Sequence, residues 1–212
     1  AYPYQKGLQH YPVATSVACS GAVIEDVSET RDIYRGQSRI SPQIAWRDRT
    51  NAETSEINKN YTPGYKGQVL FTQTVKPRTV LLSVGGNDIN FANIVASCVD
   101  NVLETSCYPY YKERRELMVQ MQSQYTELKA LYTKVKASSQ GNVYVVGYPE
   151  IAKPGGNCRV NVRLDADEVQ FSSDLVVYLN KVIKNAASDA GVFYVDNQKA
   201  LYGFRLCEDQ KG

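Results

Sequence analysis

The chain has 212 residues, and a single domain spanning 1–212 is the simplest expectation for that length. Its 24 Lys and Arg against 22 Asp and Glu leave a formal net charge of +2, too balanced to supply the basic field that nucleic-acid binding needs. Hydrophobic residues at 43% exclude a chain too polar to collapse, while the apolar runs at 143–147 and 192–195 fall far short of the roughly 18 to 20 residues that cross a bilayer, so no membrane span is expected.

In chain order, residues 15–19 (TSVAC) form a weak strand candidate that runs into Ser20-Gly21. The stretch 28–66 is different in kind: polar, mixed in charge, and without helical or strand periodicity over most of its length. It carries Trp46, and its arginines (Arg31, Arg35, Arg39, Arg47, Arg49) are offset by Asp32, Asp48, Glu53 and Glu56, so it reads as a solvated insert or long loop within the domain. It also holds the sequon Asn60-Tyr61-Thr62, a glycosylation acceptor pattern compatible with secretion. Residues 80–84 (VLLSV) read as a buried strand closed by the tight turn Gly85-Gly86-Asn87-Asp88. Over 112–136, Leu117, Met121, Tyr125, Leu128, Leu131, Tyr132 and Val135 recur at three- and four-residue steps and predict one amphipathic helix, stopped by Gly141. A strand follows at 142–147 (NVYVVG), closed by Tyr148-Pro149. A second helix fits 167–187, with Val169, Leu175, Val176, Leu179, Val182, Ile183 and Ala186 on one face; Gly191 ends it before a strand at 192–196. The alternation of strand, long loop, strand, helix, strand, helix, strand predicts an α/β layer fold with a parallel sheet.

Five cysteines (Cys19, Cys98, Cys107, Cys158, Cys207), no CxxC pair and one histidine, His10, do not assemble a Cys/His zinc site. Disulfides are the better reading, with Cys98 paired to Cys107 and Cys158 to Cys207. That leaves Cys19 open between a bond to a cysteine outside these residues and a small buried hydrophobe.

The sharpest chemical feature is the turn after the 80–84 strand. Its two glycines allow a tight turn and close approach to a ligand, and an asparagine at a strand tip can aim its amide NH2 at a developing negative charge, as an oxyanion hole requires. The same residues also suit a plain Asx-type turn, in which Asn87 and Asp88 cap the loop and start the next helix.

Taken together, Ala1-Tyr2-Pro3-Tyr4, Val17-Ala18-Cys19-Ser20-Gly21-Ala22, Gly85-Gly86-Asn87-Asp88 with Phe91 and Cys98, Gly147-Tyr148-Pro149 and Gly203-Phe204-Arg205-Leu206-Cys207-Glu208 resemble the extracellular, disulfide-bonded branch of the SGNH (GDSL-type) hydrolases, lipases and esterases of actinobacteria and fungi. Their order and rough spacing agree across nearly the whole chain, and the Gly-Gly-Asn-Asp turn is the most specific of them. The resemblance implies a three-layer α/β/α sandwich with a parallel sheet in flavodoxin-like strand order. It implies an oxyanion hole in which Gly21 and Asn87 join the nucleophile's own amide, and a Cys19 bonded to a cysteine outside these residues. It implies a secreted or cell-surface carboxylic ester hydrolase that works through a serine acyl-enzyme on a lipid or acylated-glycan ester, with no metal or cofactor.

The departures matter as much. The family's Gly-Asp-Ser nucleophile block and its His-Pro-Asn-type histidine block do not occur here. His10 and Ser20 do not stand in for them: His10 falls in the wrong block, and a serine hydroxyl with no base beside it is not activated. The expectation is therefore an internal portion of a larger secreted protein, with the missing blocks supplied by a further segment or chain. Two alternatives remain: a non-catalytic SGNH-like module that binds glycan, lipid or a protein partner, and a surface-layer or adhesin module whose 28–66 insert makes the contacts.

Overall fold

The computed structural model describes residues 17–18, 22–28, 67–99, 111–156, 158 and 164–208. In chain order these form α1 (Ile24–Ser28), α2 (Val69–Val75), β1 (Thr79–Leu82), α3 (Phe91–Val99), α4 (Tyr111–Ser123), α5 (Tyr125–Ser138), β2 (Asn142–Val146), α6 (Ala166–Ala190) and β3 (Phe193–Val195). The three strands make one sheet in the order β1, β2, β3, and both pairs are parallel. The architecture is the expected α/β one, with helical crossovers between parallel strands.

Register decides which strand residues are covered, because side chains alternate faces along a strand. Val80 sits opposite Val143, and Leu82, Val145 and Tyr194 share a row; this face packs on the core. The next row, Leu81, Tyr144 and Phe193, points the other way: Leu81 and Phe193 are exposed, and the Tyr144 and Phe193 rings stack at 5.3 Å. The sheet and one helical layer of the three-layer sandwich are thus among the described residues.

The covered face meets α5 through Leu128, Leu131, Tyr132 and Val135 and α6 through Leu175, Leu179, Ile183 and Ala186, all buried. Each such Leu or Ile side chain removed from water contributes about 1.5 to 3 kcal/mol, which makes the α5–α6 contact the main stabilising interface of the described residues. Polar ties add to this packing: Arg114 of α4 bonds Asp167 and lies 4.6 Å over the Phe171 ring of α6, tying α4 to the pair, and Tyr125 of α5 bonds Asp189 of α6 within it.

Helix α6 is longer at both ends than its apolar stripe predicts. Asp165 accepts the Glu168 N–H at 2.8 Å while Glu168 accepts the Asp165 N–H at 2.9 Å, a reciprocal capping box that satisfies two otherwise orphaned donors. Gly191, at φ 67°, closes the other end in the left-handed region. The single helix expected over 112–136 is two helices. At Gln124 the chain takes a three-residue step, its N–H donating to Met121 O at 3.2 Å, before Leu128 N–H resumes the four-residue pattern on Gln124 O at 2.9 Å. No glycine or proline marks this step, so periodicity carries through it. The short helices α1 and α2 were not expected; at 5 and 7 residues they are too short to show a stripe. Of the 28–66 insert only Ser28 is described, as the last residue of α1, and of the 15–19 strand candidate only Val17 and Ala18, neither in a strand.

Candidate active site

All three strands are parallel, so the loops after β1, β2 and β3 leave from the same end of the sheet, the end at which open α/β sheets build their sites. The first of these is the Gly-Gly-Asn-Asp turn. Gly85 takes φ 113°, a conformation costly for any residue with a side chain, and Gly86 is so close to Tyr148 that a Cβ there would lie 2.8 Å from the ring. The Phe91 N–H returns to Gly86 O at 3.0 Å and starts α3. The turn leaves Asn87 exposed at its tip while Val84 and Ile89 on either side are buried.

Three long-range bonds fix this tip. The Asn87 amide Nδ2 donates to the Ala22 carbonyl at 2.9 Å. The Asp88 carboxylate accepts the Ile24 N–H on both oxygens, at 3.0 and 3.2 Å. The Tyr148 hydroxyl accepts the Gly86 N–H at 2.9 Å. Tyr148 is itself clasped by buried Asn180 of α6, whose Oδ1 accepts the Tyr148 N–H at 2.7 Å and whose Nδ2 donates to the Tyr148 carbonyl at 2.8 Å. Burial raises the Asp88 pKa above the ordinary carboxylate value, the Ile24 N–H opposing it, and burial likewise raises the Tyr148 phenol, which therefore stays protonated. An amide NH2 has two donors. With one held by Ala22, the side chain is oriented and one N–H is left to donate elsewhere.

The structure thus departs from a purely local Asx turn. Asp88 bonds a segment 64 residues away rather than the helix that follows it. Gly21, Ser20 and Cys19 lie outside the described residues, as do His10, Asn60 and Cys107, and so does the Cys98 side chain. Ala22, the residue that follows Gly21 in sequence, is within hydrogen-bond reach of Asn87. Cys158 and Cys207 are joined by a disulfide.

The loop after β3 is held by charge. Arg205 is buried between Glu150 at 2.6 Å and Glu208 at 3.0 Å, and its guanidinium lies 3.8 Å over the Tyr202 ring. Glu150 also accepts from Ser173 of α6 at 2.7 Å. Burial would raise the Glu150 carboxyl, but bonds from Ser173, Tyr202 and Arg205 outweigh it and hold it below the ordinary range. Glu208, bonded chiefly by Arg205 and by the Arg205 and Gly203 N–H groups, is pulled down to about 2. Parallel bridging of Ala152 with Leu206 continues the strand order into these loops, next to the disulfide.

Sequence reasoning gave no role to Ala22, Tyr148 or Asn180, and gave Asp88 only that of a cap on the turn. Asn180 had a signal: it is a polar residue in register with the Val176, Leu179 and Ile183 stripe, and a polar group at a core position needs a partner. The carboxylate of Asp88 had none, because its partner is distant in sequence. Among the described residues no group of His, Cys, Asp and Glu could hold a metal ion, and no helix is long and apolar enough to cross a membrane.

The chain has relatives. The sequence profile of the GDSL-like Lipase/Acylhydrolase family matches residues 30–211, and the chain belongs to that family. It is 28% identical over 167 residues to Lipase 2 of Streptomyces coelicolor, covering 74% of this chain and 56% of that protein. It is 27% identical over 131 residues to a lipase of Streptomyces rimosus, covering 60% of this chain and 46% of that protein. The crystal structure of the extracellular lipase from Streptomyces rimosus superposes with a TM-score of 0.56 at 24% identity, over 66% of this chain and 58% of that one, and shares its fold. The chain spans about half the length of the curated relatives it matches.

Proposed function

We propose that this chain supplies the oxyanion-stabilising part of a carboxylic ester hydrolase that acts on lipid esters through a serine acyl-enzyme. The observation that carries the reading is the Asn87 amide, exposed at a strand tip and aimed by the Ala22 carbonyl. In the proposed reaction a histidine takes the proton of a serine hydroxyl and the serine oxygen attacks the ester carbonyl. The negative charge then forms on the former carbonyl oxygen, facing the free Asn87 N–H and the Gly21 backbone N–H. Collapse of this intermediate expels the alcohol, which takes the proton from the histidine; water then releases the acid by the same steps in reverse order. The serine and histidine are proposed to come from polypeptide outside these 212 residues, a reading supported by the partial coverage of both Streptomyces lipases. Secretion is proposed from the Cys158–Cys207 disulfide and the extracellular relative.

The test is labelling of the complete protein with a fluorophosphonate, which traps an activated serine, followed by peptide mapping. One labelled serine outside 1–212 is expected. No labelling, with the protein folded, would count against a serine mechanism, and labelling of Ser20 would reassign the nucleophile.

A further inference from the structure

The loop after β3 carries an apolar tip that packing does not explain. Between Lys199 and Arg205 stand Leu201, Tyr202 and Phe204, exposed to 36%, 42% and 80%. Phe204 is the most exposed large hydrophobic side chain among the described residues. A phenyl ring left in water is costly, and exposed apolar groups that lie together mark contact surfaces.

The exposure is built into the loop. Tyr202 N–H bonds Lys199 O at 3.1 Å and Phe204 N–H bonds Leu201 O at 2.9 Å, winding the tip tightly, and Gly203 turns it at φ 91°. Behind the tip, Glu208 receives the Gly203 and Arg205 N–H groups and the Arg205 side chain, Arg205 reaches Glu150, and Cys207 is tied to Cys158. Buried charge and a disulfide thus brace a turn whose outer side is apolar.

We infer that the 199–204 tip inserts into a phospholipid surface and holds the site against it. Charge favours this partner: from Lys199 to Phe204 the tip carries one cation and no carboxylate, which suits phosphate headgroups, while Glu208 and, from the loop after β2, Glu150 are turned inward onto Arg205, and Asp196 at the base of the loop accepts the Gln198 N–H. Tyr202 belongs to the brace rather than to the contact: its ring lies 3.8 Å from the Arg205 guanidinium and its hydroxyl bonds Glu150, which leaves Leu201 and Phe204 as the outward apolar pair. Position favours it too. The tip rises from the same end of the parallel sheet as Asn87, and the loops between them are linked through Gly86 to Tyr148 and through Glu150 to Arg205. A surface engaged by Phe204 therefore lies on the side of the molecule where the ester is proposed to react. This inference rests on the lipid-ester reading for its biological sense, but its test does not.

Binding is read by co-sedimentation with vesicles of ether-linked phosphatidylcholine, which offer no ester to cleave. Phe204→Asp is expected to weaken partition about 10-fold or more and to leave the unfolding temperature unchanged. Val119→Asp, at a position 62% exposed on α4, is expected to change neither. Equal partition of Phe204→Asp and the parent overturns the proposal. A fall in the unfolding temperature of Phe204→Asp without vesicles overturns it as well, since Phe204 would then be covered by protein. Failure of the fluorophosphonate labelling leaves this result untouched, so the two readings fail separately.

Discussion

Two loops leave the same end of the sheet and are held in opposite ways. The Gly85–Asn90 turn is held by single hydrogen bonds to distant groups: Asp88 to Ile24, Tyr148 to Gly86, Asn87 to Ala22. The loop at 197–208 is held by a buried cation between two carboxylates and by a disulfide. The first arrangement leaves a polar amide free at its tip, and the second leaves apolar side chains free at its tip. A group that must donate a hydrogen bond needs orientation more than strength, which single directed bonds supply; a tip that exposes hydrophobic surface gains nothing from its own packing and needs bracing from behind.

Removing the brace should do the most damage. Arg205→Met leaves Glu150 and Glu208 facing each other without their cation, and the largest loss of stability among these variants is expected, read by denaturant titration. A loss under about 1 kcal/mol would mean that the disulfide alone holds the loop. In the turn, Gly86→Ala drives a methyl into the Tyr148 ring and is expected to cost about 1 to 3 kcal/mol, read the same way. Tyr148→Phe removes the acceptor for the Gly86 N–H and the hydroxyl's bond with the Ser83 side chain; about 1 kcal/mol is expected, together with a fall in turnover larger than any fall in substrate affinity, because Asn87 is adjacent to the freed group.

Acid separates the two loops by sign. Glu150 and Glu208 sit below their ordinary values, Glu208 at about 2 against 4.5, so the unfolded chain binds more protons and their stabilising contribution, full above the ordinary value, is lost as pH falls from about 4.5 toward 2. Asp88 is raised by burial, so its contribution is full below the ordinary value and declines as pH rises through the folded one. Hydrogen exchange at rising acidity should therefore loosen the amides of 197–208 before those of 85–90. The reverse order would contradict the assignment of an ion-pair brace to one loop and of directed hydrogen bonds to the other.

Much of this was legible in the sequence because it is written locally. The apolar stripe of α6, the Gly191 stop and the strand at 142–146 follow from periodicity and turn chemistry, and the parallel sheet follows from their alternation. The Gly85-Gly86-Asn87-Asp88 turn was legible as a site for the same reason. What holds the turn was not, because Ala22, Ile24, Tyr148 and Asn180 reach it across 62 to 65 residues or through a neighbour, and no local pattern encodes such pairing. The break at Gln124 was hidden by the opposite effect: an apolar periodicity that survives a one-residue change of step. Arg205 was quoted only as part of a motif, since its significance lies in Glu150, 55 residues away.

The central claim is that Asn87 donates to the oxyanion. The most direct measurement is turnover of a soluble short-chain ester by the complete protein with Asn87→Ala, alongside its unfolding temperature. The account predicts kcat lower by about 100- to 1000-fold with folding preserved. Unchanged turnover in a folded variant would remove Asn87 from the chemistry and leave the turn a structural feature only.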